Sequence, residues 1–193
     1  MRTHRIRTAV LAATTATLAL TVYGGSAGAS AADLATAGKA DTMRSAATTT
    51  ATRACHGDEL SYSVVHRFAK QQGEHLLITA TNADSKPCWV TSYPSVMLGD
   101  TTKVLPHSAK DAPGGGTRVT LRPGAKVYSA VNLFTDSGRP HTSGDLSIAL
   151  RDRTGDTGPA TEQAAFDGRG VPSKFSWTSA DVTHWNKKKP YDF

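Results

Sequence analysis

Residues 60–82 read LSYSVVHRFAKQQGEHLLITATN, and this stretch decides the fold. Residues 60–68 alternate apolar with polar side chains, as in a first β-strand. Residues 75–82 form a second, with Leu76, Ile78 and Ala80 on one face. Period-two alternation marks a strand with one face buried and the other facing water.

The same texture extends downstream. Asn82-Ala83-Asp84-Ser85-Lys86-Pro87 is turn-rich, and residues 89–98 (WVTSYPSVML) follow as a strand in which Pro94 marks an edge or bulge. A short strand is expected at 103–105. Pro113 and the glycines at 114–116 make a loop, and residues 118–121 point Val119 and Leu121 to one side. Pro123-Gly124 fits the centre of a type II turn, because proline presets φ and glycine accepts positive φ. Strands at 127–135 and 146–151 complete the series. No ten-residue window carries an unbroken 3.6-residue apolar period. The reading is all-β, a sandwich or barrel of about seven to eight strands, with turns recurring about every ten residues. The main sandwich is expected over 54–153, and 154–193 is a loop-rich extension whose last element spans 175–185, with a terminal strand at 181–185.

The N-terminus has a different character. Arg2, Arg5 and Arg7 precede an apolar stretch over residues 9–22, and small residues follow from Gly24 to Ala31. This is the layout of a secretory signal peptide over 1–31, with cleavage expected after Ala31. Fourteen residues rise only about 21 Å as a helix, short of the ~30 Å hydrocarbon core, so a membrane anchor is disfavoured. No cysteine stands near the cleavage site and the arginines are not adjacent, which leaves plain secretion. Residues 32–53 are mostly Ala and Thr, with Leu34 and Met43 as the sizeable apolar side chains. Such a segment buries too little to offset chain entropy and reads as a flexible spacer.

Composition bounds the rest. The chain has 193 residues, 38% hydrophobic, with a formal charge of +6. Loss of the three signal arginines lowers that charge to +3. Without a broad basic stripe, nucleic acid is not an expected partner. Two cysteines, Cys55 and Cys88, exclude a four-cysteine zinc site. In an exported domain they are expected to pair. Closing a loop of that length contributes about 3–4 kcal/mol in the chain-entropy model.

Taken together, Cys55, Thr81-Asn82, Pro87-Cys88, Tyr93-Pro94-Ser95-Val96, Leu121 with Pro123-Gly124, and the ending Asp181-Val182-Thr183-His184-Trp185 resemble a known pattern. It is that of the actinomycete secreted family catalogued as domain of unknown function 4232. The resemblance covers about residues 55–185. It implies an immunoglobulin-like sandwich with a Cys-Cys staple and no established catalytic residues. One departure stands out: Trp89-Val90-Thr91-Ser92 occupies a stretch where the pattern has an aliphatic residue and a glycine before the tyrosine.

No motif for chemistry is present. There is no G-x-S-x-G elbow and no S-x-x-K with K-T-G. His56, His66, His75, His107, His141 and His184 form no H-x-x-x-H or H-E-x-x-H pair. They read as surface or rim residues, with a metal site assembled from distant loops as the alternative. Asp152 and Asp156 beside Gly155 and Gly158 suit a turn better than a calcium loop. No cofactor, metal or catalytic group is expected.

The C-terminus is the most distinctive segment. Phe175, Trp177, Trp185, Tyr191 and Phe193 cluster there, with Lys187, Lys188 and Lys189 among them. One reading makes Trp177, Trp185, Lys187, Lys188, Lys189 and Tyr191 a surface strip for anionic wall polymer, glycan or lipid headgroups. The simpler reading packs the tryptophans on the sheet and leaves the lysines solvated. The functional expectation is a secreted, non-catalytic and monomeric module, extracellular or wall-associated, that binds cell-wall polymer, glycan or another secreted protein. An exported inhibitor or signalling ligand acting through residues 105–117, or a hydrolase with a loop-assembled site, are the alternatives.

Overall fold

In the computed structural model, residues 52–111, 117–136, 138–152, 154–155 and 158–191 are described. The expected signal peptide over 1–31 and all but the end of the expected spacer lie outside them, as does Phe193. Among the described residues twelve strands are found, where seven to eight were expected. They are β1 Arg53–Ala54, β2 Leu60–Arg67, β3 His75–Asn82, β4 Cys88–Val90, β5 Ser95–Leu98, β6 Val119–Leu121, β7 Lys126–Phe134, β8 His141–Ser143, β9 Asp145–Ala149, β10 Thr161–Phe166, β11 Phe175–Trp177 and β12 Ser179–Val182. A single 3-10 turn, Gly57–Glu59, interrupts them.

Seven strands form one sheet in the order β12-β7-β3-β2-β10-β9-β5. A three-stranded sheet, β1-β4-β6, and a two-stranded pair, β11-β8, complete an all-β sandwich that approaches a barrel. The residues quoted at the outset supply two adjacent strands of the large sheet. Leu60 pairs with Asn82 and Arg67 with His75, an unbroken antiparallel register. Across the sheet, His66, Leu76, Val131 and Val182 lie in one row. Because side chains alternate faces, Val64, Leu76, Ile78, Val127 and Val131 turn inward together and are buried. Burial of this apolar face is what favours the sheet over the open chain.

Several expectations needed correction. Pro94 divides residues 89–98 into β4 and β5, since proline offers no N–H to a ladder. Residues 103–105 form no strand, although Leu105 N–H donates to the Val96 carbonyl at 2.8 Å. Residues 175–185 hold two strands, and the last ends at Val182 rather than Trp185. Residues 161–166, read as part of a loop-rich extension, are strand β10 inside the large sheet. β10 runs parallel to β2 and antiparallel to β9. Arg53, at the end of the expected spacer, lies in strand β1, and its guanidinium pairs with Glu59 and Asp84.

The expected type II turn is present: Gly124 has φ +74°, and Ala125 N–H donates to the Arg122 carbonyl at 2.9 Å. Asp152 Oδ1 accepts the Thr154 N–H at 2.7 Å, as a turn demands; Asp156 lies outside the described residues. Cys55 and Cys88 form a disulfide, with Cα atoms 4.9 Å apart, beside the small sheet.

The resemblance motif has a structural logic. Asn82 is buried at the end of β3, and its Nδ2 donates to the carbonyls of Lys86 (2.9 Å) and Leu121 (3.1 Å). Its Oδ1 accepts the Asp84 N–H at 3.0 Å, and its main chain exchanges bonds with Gly124 and Ala125. One side chain thus ties together the Thr-Asn, Pro-Cys and Leu…Pro-Gly segments. Ser92, within the departing stretch, has φ +61°, the left-handed region that glycine occupies without strain.

Candidate functional site

The proposed aromatic strip does not exist as a surface. Trp177 and Trp185 are 6% and 3% exposed and belong to the core, with Phe175 at 1%. Trp177 lies 5.4 Å from Phe175 and stacks on His141 at 5.5 Å. Both indoles satisfy the hydrophobic demand of the sandwich, and only Lys187, Lys188 and Lys189 stay fully exposed. Tyr191 is half-buried, set edge-on to His75 at 5.4 Å, and its Oη accepts from Asn132 Nδ2 at 3.2 Å. Burial lowers the affinity of His75 for a proton, outweighing its bond to the Gly73 carbonyl.

Two grooves flank Tyr191. One, of about 460 Å³, is lined by Lys110, Asp111, Asn186, Lys187, Lys188 and Lys189. The other, of about 550 Å³, runs past Ser108, Lys110, Asn132 and Asp181. Lys110 and Tyr191 line both. The lysines of the expected strip therefore face a concavity, without the tryptophans.

Beside the first groove three side chains converge that no motif joins in sequence. His107 Nε2 lies 3.0 Å from Asp111 Oδ2 and 2.8 Å from His184 Nδ1, which is itself 2.6 Å from Asp111 Oδ2. The topology brings them together. His107 forms an isolated parallel bridge with Val182. The Ser108 N–H donates to the Val182 carbonyl at 2.9 Å, and the Val182 N–H to the Pro106 carbonyl at 3.0 Å. Asp111 N–H turns back onto the Ser108 carbonyl at 3.3 Å, and Asp111 Oδ2 accepts the main-chain N–H of His184. Tyr93 stacks on His107 at 4.8 Å and meets His184 edge-on at 5.9 Å, with the Arg151 guanidinium 4.6 Å from its ring. Burial opposes ionisation of Asp111, yet the His184 N–H and both imidazoles hold its carboxyl below the usual carboxylate range.

A second constellation imitates a catalytic triad. His66 Nδ1 lies 2.8 Å from Ser173 Oγ, and its Nε2 lies 2.8 Å from Glu74 Oε1. Ser173 and His66 are 107 residues apart, so no local pattern announces the row. His66 is buried in the sheet, edge-on to Phe175 at 6.2 Å, and the Ser173 N–H is engaged by the Ala165 carbonyl at 2.9 Å. An acyl-transfer site needs free main-chain donors for the developing oxyanion; here that donor is already bonded. The row pins the β10–β11 connection to β2.

These features define a disulfide-stapled β-sandwich domain with one polar, lysine-rimmed groove. The chain belongs to the family described as Domain of unknown function (DUF4232), whose model matches residues 55–186. No curated protein and no solved structure matches the chain.

Proposed function

We propose that the chain is an exported, non-catalytic binding module that holds an anionic cell-wall polymer or glycan at the cell exterior. The observation carrying this reading is the groove in which Lys110, Lys187, Lys188 and Lys189 surround Tyr191. Four ammonium groups around a concavity favour a ligand with repeated negative charge, and a half-buried tyrosine ring offers a face for a sugar. The disulfide suits an oxidising compartment. Among the described residues no helix is long and apolar enough to cross a membrane.

Co-sedimentation with purified wall polymers tests the reading. Replacing Lys110, Lys187, Lys188 and Lys189 together by alanine is expected to abolish retention on an anionic polymer. Raising salt is expected to weaken the unsubstituted chain in the same direction. Retention unchanged by the fourfold substitution sinks the proposal.

A further inference from the structure

The triangle of His107, Asp111 and His184 poses a problem of protons. Hydrogen bonds along all three sides require three protons between the atoms, and two imidazole nitrogens bring at most two. A proton on Asp111 Oδ2 would not complete the set, because an imidazole nitrogen that carries its own proton has no lone pair with which to accept another. Every tautomer therefore leaves one side with lone pair facing lone pair, or N–H facing N–H, at 2.6–3.0 Å. A cation at the centre meets all three atoms at once. Tetrahedral ligands at ~2.0–2.1 Å from zinc stand about 3.3 Å apart, so each group need retreat by only a few tenths of an ångström.

We propose that His107 Nε2, Asp111 Oδ2 and His184 Nδ1 are ligands of one divalent transition ion of the zinc class. Two imidazoles and one carboxylate suit zinc or copper, whereas calcium requires six to eight oxygens and magnesium an octahedron of them. The ligands are held from behind: His107 by its bridge to Val182 and its stack on Tyr93, Asp111 by the turn onto Ser108. They are also reachable from solvent, with side-chain exposures of 30% for His107 and 18% for His184 against 7% for Asp111. Three protein ligands leave a fourth position for water or for an anionic group. The assignment does not rest on the polymer-binding reading, although Asp111 also lines that groove.

The test is calorimetric titration of zinc chloride into the chain, purified without a histidine tag and stripped with chelator, with native mass spectrometry for stoichiometry. One zinc per chain is expected. His107→Ala and His184→Ala should each weaken it at least about tenfold, while His56→Ala, at an exposed histidine elsewhere, leaves it unchanged. Cobalt(II) added to the unsubstituted chain should give the intense visible bands of a tetrahedral site, a readout that needs no variant to fold. No zinc uptake, weak octahedral cobalt bands, or equal losses in His56→Ala and His184→Ala would overturn the assignment.

Discussion

Two regions of this sandwich are built on opposite principles. In the region clamped by Cys55–Cys88, each polar atom of Asn82 has a partner, and the segment leading to Cys88, the end of β6 and the Pro123-Gly124 turn all bond to this one residue. In the second region, His107, Asp111 and His184 form a triangle whose three sides cannot all be hydrogen bonds at once, beside a groove rimmed with lysine. Satisfied polar groups help to specify a fold, whereas a triangle that protons alone cannot complete is one that a cation would complete. The family pattern marks the clamp through Cys55, Asn82 and Cys88, and it reaches the triangle as well, through Tyr93 and His184.

Breaking the clamp is the strongest way to test this contrast. Cys88→Ala, or reduction, should cost about 3–4 kcal/mol in chemical denaturation; a cost near zero would mean the small sheet is not anchored there. Asn82→Ala should come next, at about 1–3 kcal/mol, because it orphans the Lys86 and Leu121 carbonyls. At the site, His107→Ala should change stability by no more than about 0.5 kcal/mol while removing metal binding. If it destabilised as strongly as Asn82→Ala, the contrast between the two regions would fail.

Two further predictions sharpen the picture. Ser92→Gly should stabilise by about 0.5–1 kcal/mol, since Ser92 holds φ +61°; a loss instead would show that its side chain outweighs its backbone strain. Glu59 supplies a pH signature at the clamp. Its bond to Arg53, against the cost of desolvation, brings its pKa down to about 2. A carboxyl lowered in this way stabilises the fold above its unfolded value of about 4.3, and that contribution is lost as pH falls towards 2. Arg53→Ala should return the Glu59 titration, followed by carboxyl NMR shifts, to the ordinary range.

The large sheet was legible because its strands obey the simplest rule. β2, β3 and β7 alternate faces over eight or nine residues, and Pro123-Gly124 states its own turn. β10 was not legible: its sequence TEQAAF buries only Ala165, so the ladders to β2 and β9 hold it and no apolar period reveals it. β1 and β8, of two and three residues, are too short to carry a pattern. The tryptophans left two readings open, because aromatic residues beside lysines suit a binding face and a core edge equally; the three-dimensional neighbours of Trp177 and Trp185 decide for the core. The metal-class cluster was hidden by separation. His107 and Asp111 stand four apart without a helix, and His184 arrives 77 residues later through the bridge at Val182. The His-x-x-x-Asp spacing was the only local trace, and it is too common to act on alone.

Imidazole nitrogen NMR during a zinc titration tests the central contrast most directly. The account predicts that His107 Nε2 and His184 Nδ1 shift together and saturate at one equivalent, while the amides of Asn82, Cys88 and Gly124 at the clamp stay still. Unmoved imidazoles, or shifts as large at the clamp as at the site, would contradict it.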